Sequence, residues 1–330
     1  MRQKERKVNM EKVLIAEKRS FKFSLKKKIH ASRFLIFMII PAIIYYAVFC
    51  YVPMYGVLIS FTTYYPKLGI LGSVFQNGLS FKNFKVIFAF PGFWNAFKNT
   101  LIIGSIKIVI SFVSAVLVAL FINEIRMKFF KKAVQIIVTF PHFLSWVVVS
   151  SLFILLLSDT GAINHLLVTS GLKKINFFSD GNLFLSLLFS SDIWKEAGWS
   201  SIIYIATMAG ISPDLYEAAD IDGASRLQKI WHITLPGIKP TAILLLIMSV
   251  GGVLSAGFDQ IFNMTSSLHN ALVLDSVQII DTLIYYSTLA SRQLTEGQST
   301  AIGLFKSFVG FVLVITTDRI AKACGERGII

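Results

Sequence analysis

Four ionisable side chains, Lys107, Lys195, Glu196 and Lys306, interrupt runs of sequence that are otherwise apolar. A charge in such a setting is costly unless it faces a partner, water or a polar ligand. Two readings stand for each. They line a polar cavity that meets a solute, or they snorkel to an interface or close structural pairs, such as Glu196 with a lysine. The longest polar interruption in the second half runs from Ile211 to Pro240, ISPDLYEAADIDGASRLQKIWHITLPGIKP. Its Asp220, Asp222 and Gly223 raise the idea of a calcium loop. That spacing needs a further acidic residue at position 218, which is Ala, so the idea fails.

Covalent chemistry finds no support. The five histidines, His30, His142, His165, His232 and His269, show no ligand spacing. Cys50 and Cys324 fall in the first apolar run and beside the last, which argues for neither a disulfide framework nor a metal site. No Gly-rich loop ends in Gly-Lys-Ser/Thr, so ATP hydrolysis must come from another chain. No nucleophile, base, metal or cofactor is assigned, and an enzyme is not expected.

The elements that must position these residues are membrane spans. Of the 330 residues, 55% are hydrophobic and only 15% charged, where a soluble domain carries nearer a quarter. The net charge of +14 does not point to nucleic acid, because the excess is not spread over an aromatic-studded face. Twelve lysines and arginines lie within residues 1–33, beside an apolar run. Such a tail reads as a cytoplasmic anchor near anionic lipid. It is too long for a signal peptide, and no cleavage site follows.

Charge-free runs then give the spans in order. The first covers Phe34 to Phe61, with bends expected at Pro41 and Pro53. Thr62 to Trp94 reads as an external loop whose PKLGILGS run forms turns. The second span is Asn99 to Asn123. A short cytoplasmic loop with Arg126, Lys128, Lys131 and Lys132 leads to a third from Ala133 to Leu157, which carries Pro141 and His142. After an external loop from Ser158 to Asn182, the fourth span must start near Leu187 and end near Ile211, with Asp192, Lys195 and Glu196 in its outer part. The fifth is expected from Pro240 to Phe258, with Gly251, Gly252 and Gly257 for close helix approach. Asp259 to Gln298 reads as an external loop, amphipathic around Val273 to Leu289. The sixth span runs from Ser299 to Thr317. The expectation is an all-α membrane protein of six transmembrane helices with both termini cytoplasmic. It comprises a basic tail 1–33, a six-span transmembrane domain 34–322 and a C-terminal tail 323–330.

Within the polar stretch, Ser212 suits an N-cap and Pro213 the first helical position. Asp222-Gly223 is a turn signal, and a second helix from Ala224 is expected to end at Pro236. The spacing Glu217-Ala218-Ala219, three residues, Gly223, nine residues, Ile233, one residue, Leu235-Pro236 resembles the EAA loop of binding-protein-dependent ABC importer permeases. FLIFMIIPAIIYYAVFCYVPMYGVLISFTTY and NTLIIGSIKIVISFVSAVLVALFINEI resemble the polysaccharide-type branch of the sugar permeases in that family. The likeness extends from Lys26 onward; the first 25 residues carry no family signal.

The resemblance implies one of two permease subunits, in a heterodimer, in a bacterial cytoplasmic membrane. An ABC ATPase dimer would lie beneath it, and an external solute-binding lipoprotein would deliver an oligosaccharide. It makes 211–240 the coupling loop, with Glu217 at the ATPase interface and Ala218 and Ala219 small enough to sit deep in a groove. Gly223 permits the turn after Asp222, and Leu215 and Tyr216 offer apolar knobs. For a sugar substrate, Lys107, Lys195, Glu196 and Lys306 are path candidates, and Trp194 and Trp199 are candidates for stacking on sugar rings. Trp146 and Tyr204 are weaker stacking candidates, and His142 and Ser145 suit a structural role. Lysines on the path would favour a uronic oligosaccharide. The alternatives are a permease for a non-sugar solute, or an ion-gradient transporter, whose inverted repeats are not evident.

Overall fold

This computed structural model describes residues 33–323 and Gly325. The basic tail before Arg33, His30, Cys324 and Arg327 lie outside the described residues. All regular structure among the described residues is helical. Two compact units divide after Leu58.

In the first unit, α1 (Arg33–Tyr46) passes through a π-helical turn, Ala47–Tyr51, into Val52–Met54. The N–H of Val52 bonds to the carbonyl of Ala47, five residues back. Pro53 has no N–H, and its ring crowds the carbonyl four residues before it. Widening the turn just ahead of Pro53 relieves that crowding, so the helix continues. No residue of the π turn or of Val52–Met54 is buried, and the face presented is Phe, Tyr, Ile and Val.

The second unit begins with α2 (Gly69–Asn77) and α3 (Lys82–Ala89). The expected turns of PKLGILGS are a correction: residues from Gly69 form helix, with Ser73 buried and bonded to the carbonyl of Gly69 at 2.7 Å. Next come α4 (Phe93–Glu124), α5 (Lys128–Thr139) and α6 (Trp146–Leu157). A continuous third span is a second correction. Pro141 sits in a 3-10 turn, Phe140–Phe143, and Ser145 caps a new helix by accepting from the N–H of Val148. A proline in a helix interior breaks its ladder, so α5 ends at Thr139, and a good N-cap restarts the helix. The remaining elements are α7 (Ala162–Thr169), α8 (Gly181–Ala209), α9 (Pro213–Ile221), α10 (Arg226–Lys229), α11 (Leu235–Gly251), α12 (Phe258–Met264), α13 (Ala271–Val277), α14 (Ile280–Tyr285) and α15 (Glu296–Ala323).

The helix expected to stop at Pro236 does not. A π turn, Ile230–Thr234, joins α10 to α11, and the N–H of Leu235 reaches back five residues to Ile230. This is the device seen before Pro53, and it carries the chain through Pro236. The helical stretch expected from Pro240 therefore starts at Arg226.

Among the described residues, five helical stretches are long and apolar enough to cross a membrane: Phe37–Phe61, Phe93–Glu124, Trp146–Thr169, Arg226–Gly251 and Glu296–Ala323. At 29 residues α8 has the length as well, but it carries Asp192, Lys195 and Glu196.

The core forms around the pairing of α4 with α8. On α4 the buried positions Phe93, Ala96, Thr100, Ile103, Gly104, Ala115, Ala119 and Ile122 recur at helical spacing. On α8 the buried stripe is Phe184, Leu187, Leu188, Ser191, Lys195, Gly198, Ser201, Tyr204 and Met208. Small residues on both stripes bring the backbones close, where dispersion and hydrogen bonding hold membrane helices together.

The segment from Asp259 to Gln298 is a third correction, because it is not an exposed loop but short helices packed into the core. Ile261, Met264, Val273, Val277, Ile279 and Ile280 are fully or nearly fully buried in the core with α4 and α8. Polar side chains anchor its backbone. Asn95 and Asn99 donate to the carbonyl of Asp275 at 2.9 Å, and Thr100 accepts from the N–H of Ile280 at 2.9 Å. Polar side chains of α4, and Thr282 of the segment itself, satisfy backbone groups that would otherwise go unpaired, so a stretch that reads as a loop packs inside.

Candidate functional site

A cavity of about 440 Å³ lies between α4, α8 and α11, closed on one side by residues 252–256. Its polar lining comprises Lys107, Ser111, Asp192, Ser200, Tyr204, Ser249 and Ser255. Lys107 and Asp192 are the only acid and base side chains among the described residues that line it. The Lys107 ammonium lies 3.1 Å from the Asp192 carboxylate, with both side chains mostly buried. It also donates to the Gln260 side-chain oxygen. Gln260 is fully buried, and its amide nitrogen donates to the carbonyl of Leu188 at 2.7 Å and to Ser191 Oγ at 2.9 Å. The lysine is thus fixed by α12 and α8 together. Gly257 makes room for it: the backbone there has φ +93°, and a Cβ would lie 2.5 Å from the Lys107 nitrogen. Only glycine combines that conformation with that approach.

The other path candidates lie elsewhere. Lys195 is 5% exposed on the buried stripe of α8. Its ammonium donates to the carbonyl of His142 at 2.7 Å and to Glu196 at 3.0 Å, and lies 5.5 Å from the centre of the Trp146 ring. Glu196 contacts His142 Nδ1 at 2.7 Å. The His142 ring stacks on Trp199 at 4.4 Å with the planes 3° apart. This cluster ties α8 to the break between α5 and α6, so the backbone freed by Pro141 is held by a lysine. Trp199 also reaches the cavity, but one of its faces is taken by His142. Trp194 packs edge-on against Phe153 and does not line the cavity.

Lys306 on α15 lies 2.6 Å from one oxygen of Asp281 on α14 and 2.8 Å from the other. It is apart from the cavity and locks the inserted segment to the last helix. The pair is partly buried, with side chains 19% and 23% exposed, so removing one partner should cost less than the loss from a fully buried pair, on the order of 1–3 kcal/mol. Lys306→Met is expected to lower stability on that scale in a thermal melt of the detergent-purified protein. Lys306→Met with Asp281→Asn is expected to recover most of the loss.

The loop from 211 to 240 is ordered by its own sequence. Ser212 caps α9 through the N–H of Asp214, and Pro213 occupies the first turn. At the other end Ala224 N–H bonds to Ala219 O at 2.9 Å and Gly223 N–H to Asp220 O at 3.2 Å, with Gly223 at φ +73°. That pair of bonds around a left-handed residue is a Schellman cap. Ser225 and Gln228 then form a capping box that starts α10. Asp220 pairs with Lys229 at 2.6 Å, and Tyr216 Oη lies 2.9 Å from Thr234 Oγ1, so the two short helices are clasped. Tyr216 turns toward the protein instead of outward. Leu215 and Ile221 are more than half exposed, as are Leu227 and Trp231. Glu217 is exposed and makes no hydrogen bond or ion pair among the described residues, and Ala218 and Asp222 are exposed beside it. Ala219, half-buried, lines a small hollow with Ile233. A second cavity, of about 500 Å³, separates α9 from the end of α4 and is ringed by Glu124, Arg126, Glu217, Asp220, Arg226 and Lys229.

Three partners escaped the sequence reading: Asp192 as the mate of Lys107, Asp281 as the mate of Lys306, and Gln260. Each lies far along the chain from its lysine, and a single sequence carries no signal for such pairings.

A helical membrane protein with a polar cavity between its long helices, and a rigid, bare-faced loop between two of them, is built as a solute permease. The chain belongs to the family of binding-protein-dependent transport system inner membrane components, whose model matches residues 108–327. It is 44% identical over 303 residues to the polygalacturonan/rhamnogalacturonan transport system permease protein YteP of Bacillus subtilis (strain 168), covering 92% of each chain. It is 32% identical over 169 residues to the arabinooligosaccharides transport system permease protein AraP of the same organism, covering 49% of this chain and 52% of that one. Among solved structures it is similar to a chain of a bacterial alginate ABC transporter, captured with its alginate pentasaccharide-bound periplasmic protein. There the TM-score is 0.81 and the identity 34%, over 92% of this chain and 99% of that one. The protein is therefore a multi-pass component of the cytoplasmic membrane and works within an ABC importer as a transport subunit, not an enzyme.

Proposed function

We propose that this chain forms half of the translocation pathway of an ATP-driven importer for uronic-acid oligosaccharides. The observation that carries the substrate class is the 44% identity, over 92% of both chains, to a permease named for polygalacturonan and rhamnogalacturonan. The alginate transporter is a second relative whose named polymer is acidic. In this reading the chain pairs with a different permease subunit, sits on an ATPase dimer and receives solute from an external lipoprotein. Residues 34–322 span the membrane six times with both ends cytoplasmic. The sixth crossing is α8, whose charges are compensated by Lys107, His142 and one another.

The cavity beside Lys107 is the section of the path this subunit supplies, and Trp199 is the aromatic on it. The 211–240 loop is the coupling element, with Glu217, Ala218, Asp222 and the exposed Leu215 turned to the ATPase, while Tyr216, Ala219 and Gly223 hold its shape. ATP closes the ATPase dimer, the docked helices follow, and the spans change access as rigid bodies.

Neutral oligosaccharides are the second reading, favoured by one observation: each membrane-depth lysine already has a carboxylate partner. Uptake into proteoliposomes holding the whole importer decides between them. A labelled trigalacturonate should be taken up with ATP and competed by other oligogalacturonates, not by neutral arabino-oligosaccharides. Competition by the neutral sugars alone would overturn the uronide reading.

A further inference from the structure

We infer that Lys107 is the carboxylate-binding group of the path and that Asp192 is the counter-ion that keeps this binding releasable. The inference rests on the uronide reading above. An ammonium has three donors. Two of those of Lys107 are used, one by Asp192 at 3.1 Å and one by Gln260. The third has no partner among the described residues, and Lys107 is part of the cavity wall. Lys107 is also the one cation among the residues that line this cavity. A uronate entering it loses water and needs a charged donor, and this one can be supplied without moving the lysine.

The geometry also says why Asp192 is there. Fixed by Gln260 and unopposed, a buried ammonium would hold a uronate tightly. A transport site must bind well enough to admit the solute and weakly enough to release it. With Asp192 in place the empty site is neutral, and the uronate meets an ammonium whose field is already partly spent. Gly257 keeps the lysine in position, because a Cβ there would meet its nitrogen.

The test measures uptake of trigalacturonate and of its carboxyl-reduced, neutral counterpart by the complete importer in proteoliposomes. Lys107→Gln should raise KM for trigalacturonate about tenfold, the scale of one charge-assisted hydrogen bond, and leave the neutral trisaccharide within about twofold. Asp192→Asn should do the reverse to the uronide: KM falls about tenfold and the turnover rate falls with it, because release slows. Lys107→Gln with Asp192→Asn removes both charges and guards against misfolding. It should assemble with the ATPase as the native chain does and still show the raised KM for the uronide alone. Equal effects of Lys107→Gln on both sugars, or a neutral-pair variant that handles trigalacturonate normally, would overturn the role of Lys107. A faster turnover in Asp192→Asn would overturn that of Asp192. If the unaltered importer carries the neutral sugar and not trigalacturonate, the uronide reading itself falls, and this inference with it.

Discussion

Glu217→Lys is expected to abolish ATP-driven uptake while leaving the permease folded. Glu217 lies on α9 with its carboxylate exposed and unpaired among the described residues. Nothing inside the chain depends on it, because the helix is held by Ser212, the Gly223 cap, the Asp220–Lys229 pair and the Tyr216–Thr234 bond. We propose that this carboxylate meets a partner chain. Placing a lysine against a cation across an interface costs several kcal/mol, so coupled uptake should fall about 100-fold or more. The melting temperature of the isolated chain should stay within about a degree or two, as for an exposed substitution. Glu217→Gln, which removes the charge without reversing it, should lose less. The assay is uptake per ATP hydrolysed in proteoliposomes, beside the melt of the same preparation. Wild-type uptake in Glu217→Lys would remove the residue from the coupling surface.

Gly198→Val has the second large effect, and its target is the fold. Gly198 lies on the buried stripe of α8, where a Cβ would stand 2.0 Å from the carbonyl oxygen of Val138 on α5. That neighbour is backbone and cannot swing aside. Overpacking a tight core typically costs about 1–3 kcal/mol and sometimes more, and here α5 must leave α8. The move would also pull on the carbonyl of His142 that receives Lys195. Folded yield in detergent should collapse, read by size-exclusion profile and melting temperature. Gly303→Ala is the control: nothing lies within 4 Å of a Cβ there, and alanine in a helix interior should gain about 0.5–1 kcal/mol. A Gly198→Val protein as stable as the native chain would contradict the packing described for α8.

Both effects bear on what the sequence makes visible. The 211–240 loop, proposed as the coupling element, is legible almost residue by residue, because its order is local. An N-cap Ser, a Pro in the first turn and a glycine after Asp222 each act within a few positions. The first, second and last long helices are legible too, as long apolar runs with at most one charge, whereas the third and fifth of the six expected spans differ from their expected bounds. Two kinds of feature are not. Pro141 and Pro236 look alike in sequence, yet one breaks its helix and the other is carried through. The difference is a π turn ahead of Pro236, which no residue type announces. The inserted segment around Val273 is amphipathic in sequence, but its backbone pairs with α4 side chains instead of water. Only the fold brings Asn95 and Asn99 to it. The path candidates divide for the same reason. Lys107 and Trp199 reach the cavity, Lys195 and Glu196 secure a helix break, Lys306 locks two helices and Trp194 packs on Phe153.

The central claim is that this chain is one subunit of an ATP-driven importer, engaged through the 211–240 loop. The most direct measurement is affinity purification of the tagged chain in mild detergent, with its companions identified, beside the Glu217→Lys variant. A second multi-span permease and an ATPase should come with the native chain, and the ATPase should be depleted from the variant. Recovery of the chain alone or only with itself, with uptake following the proton gradient instead of ATP, would contradict the account.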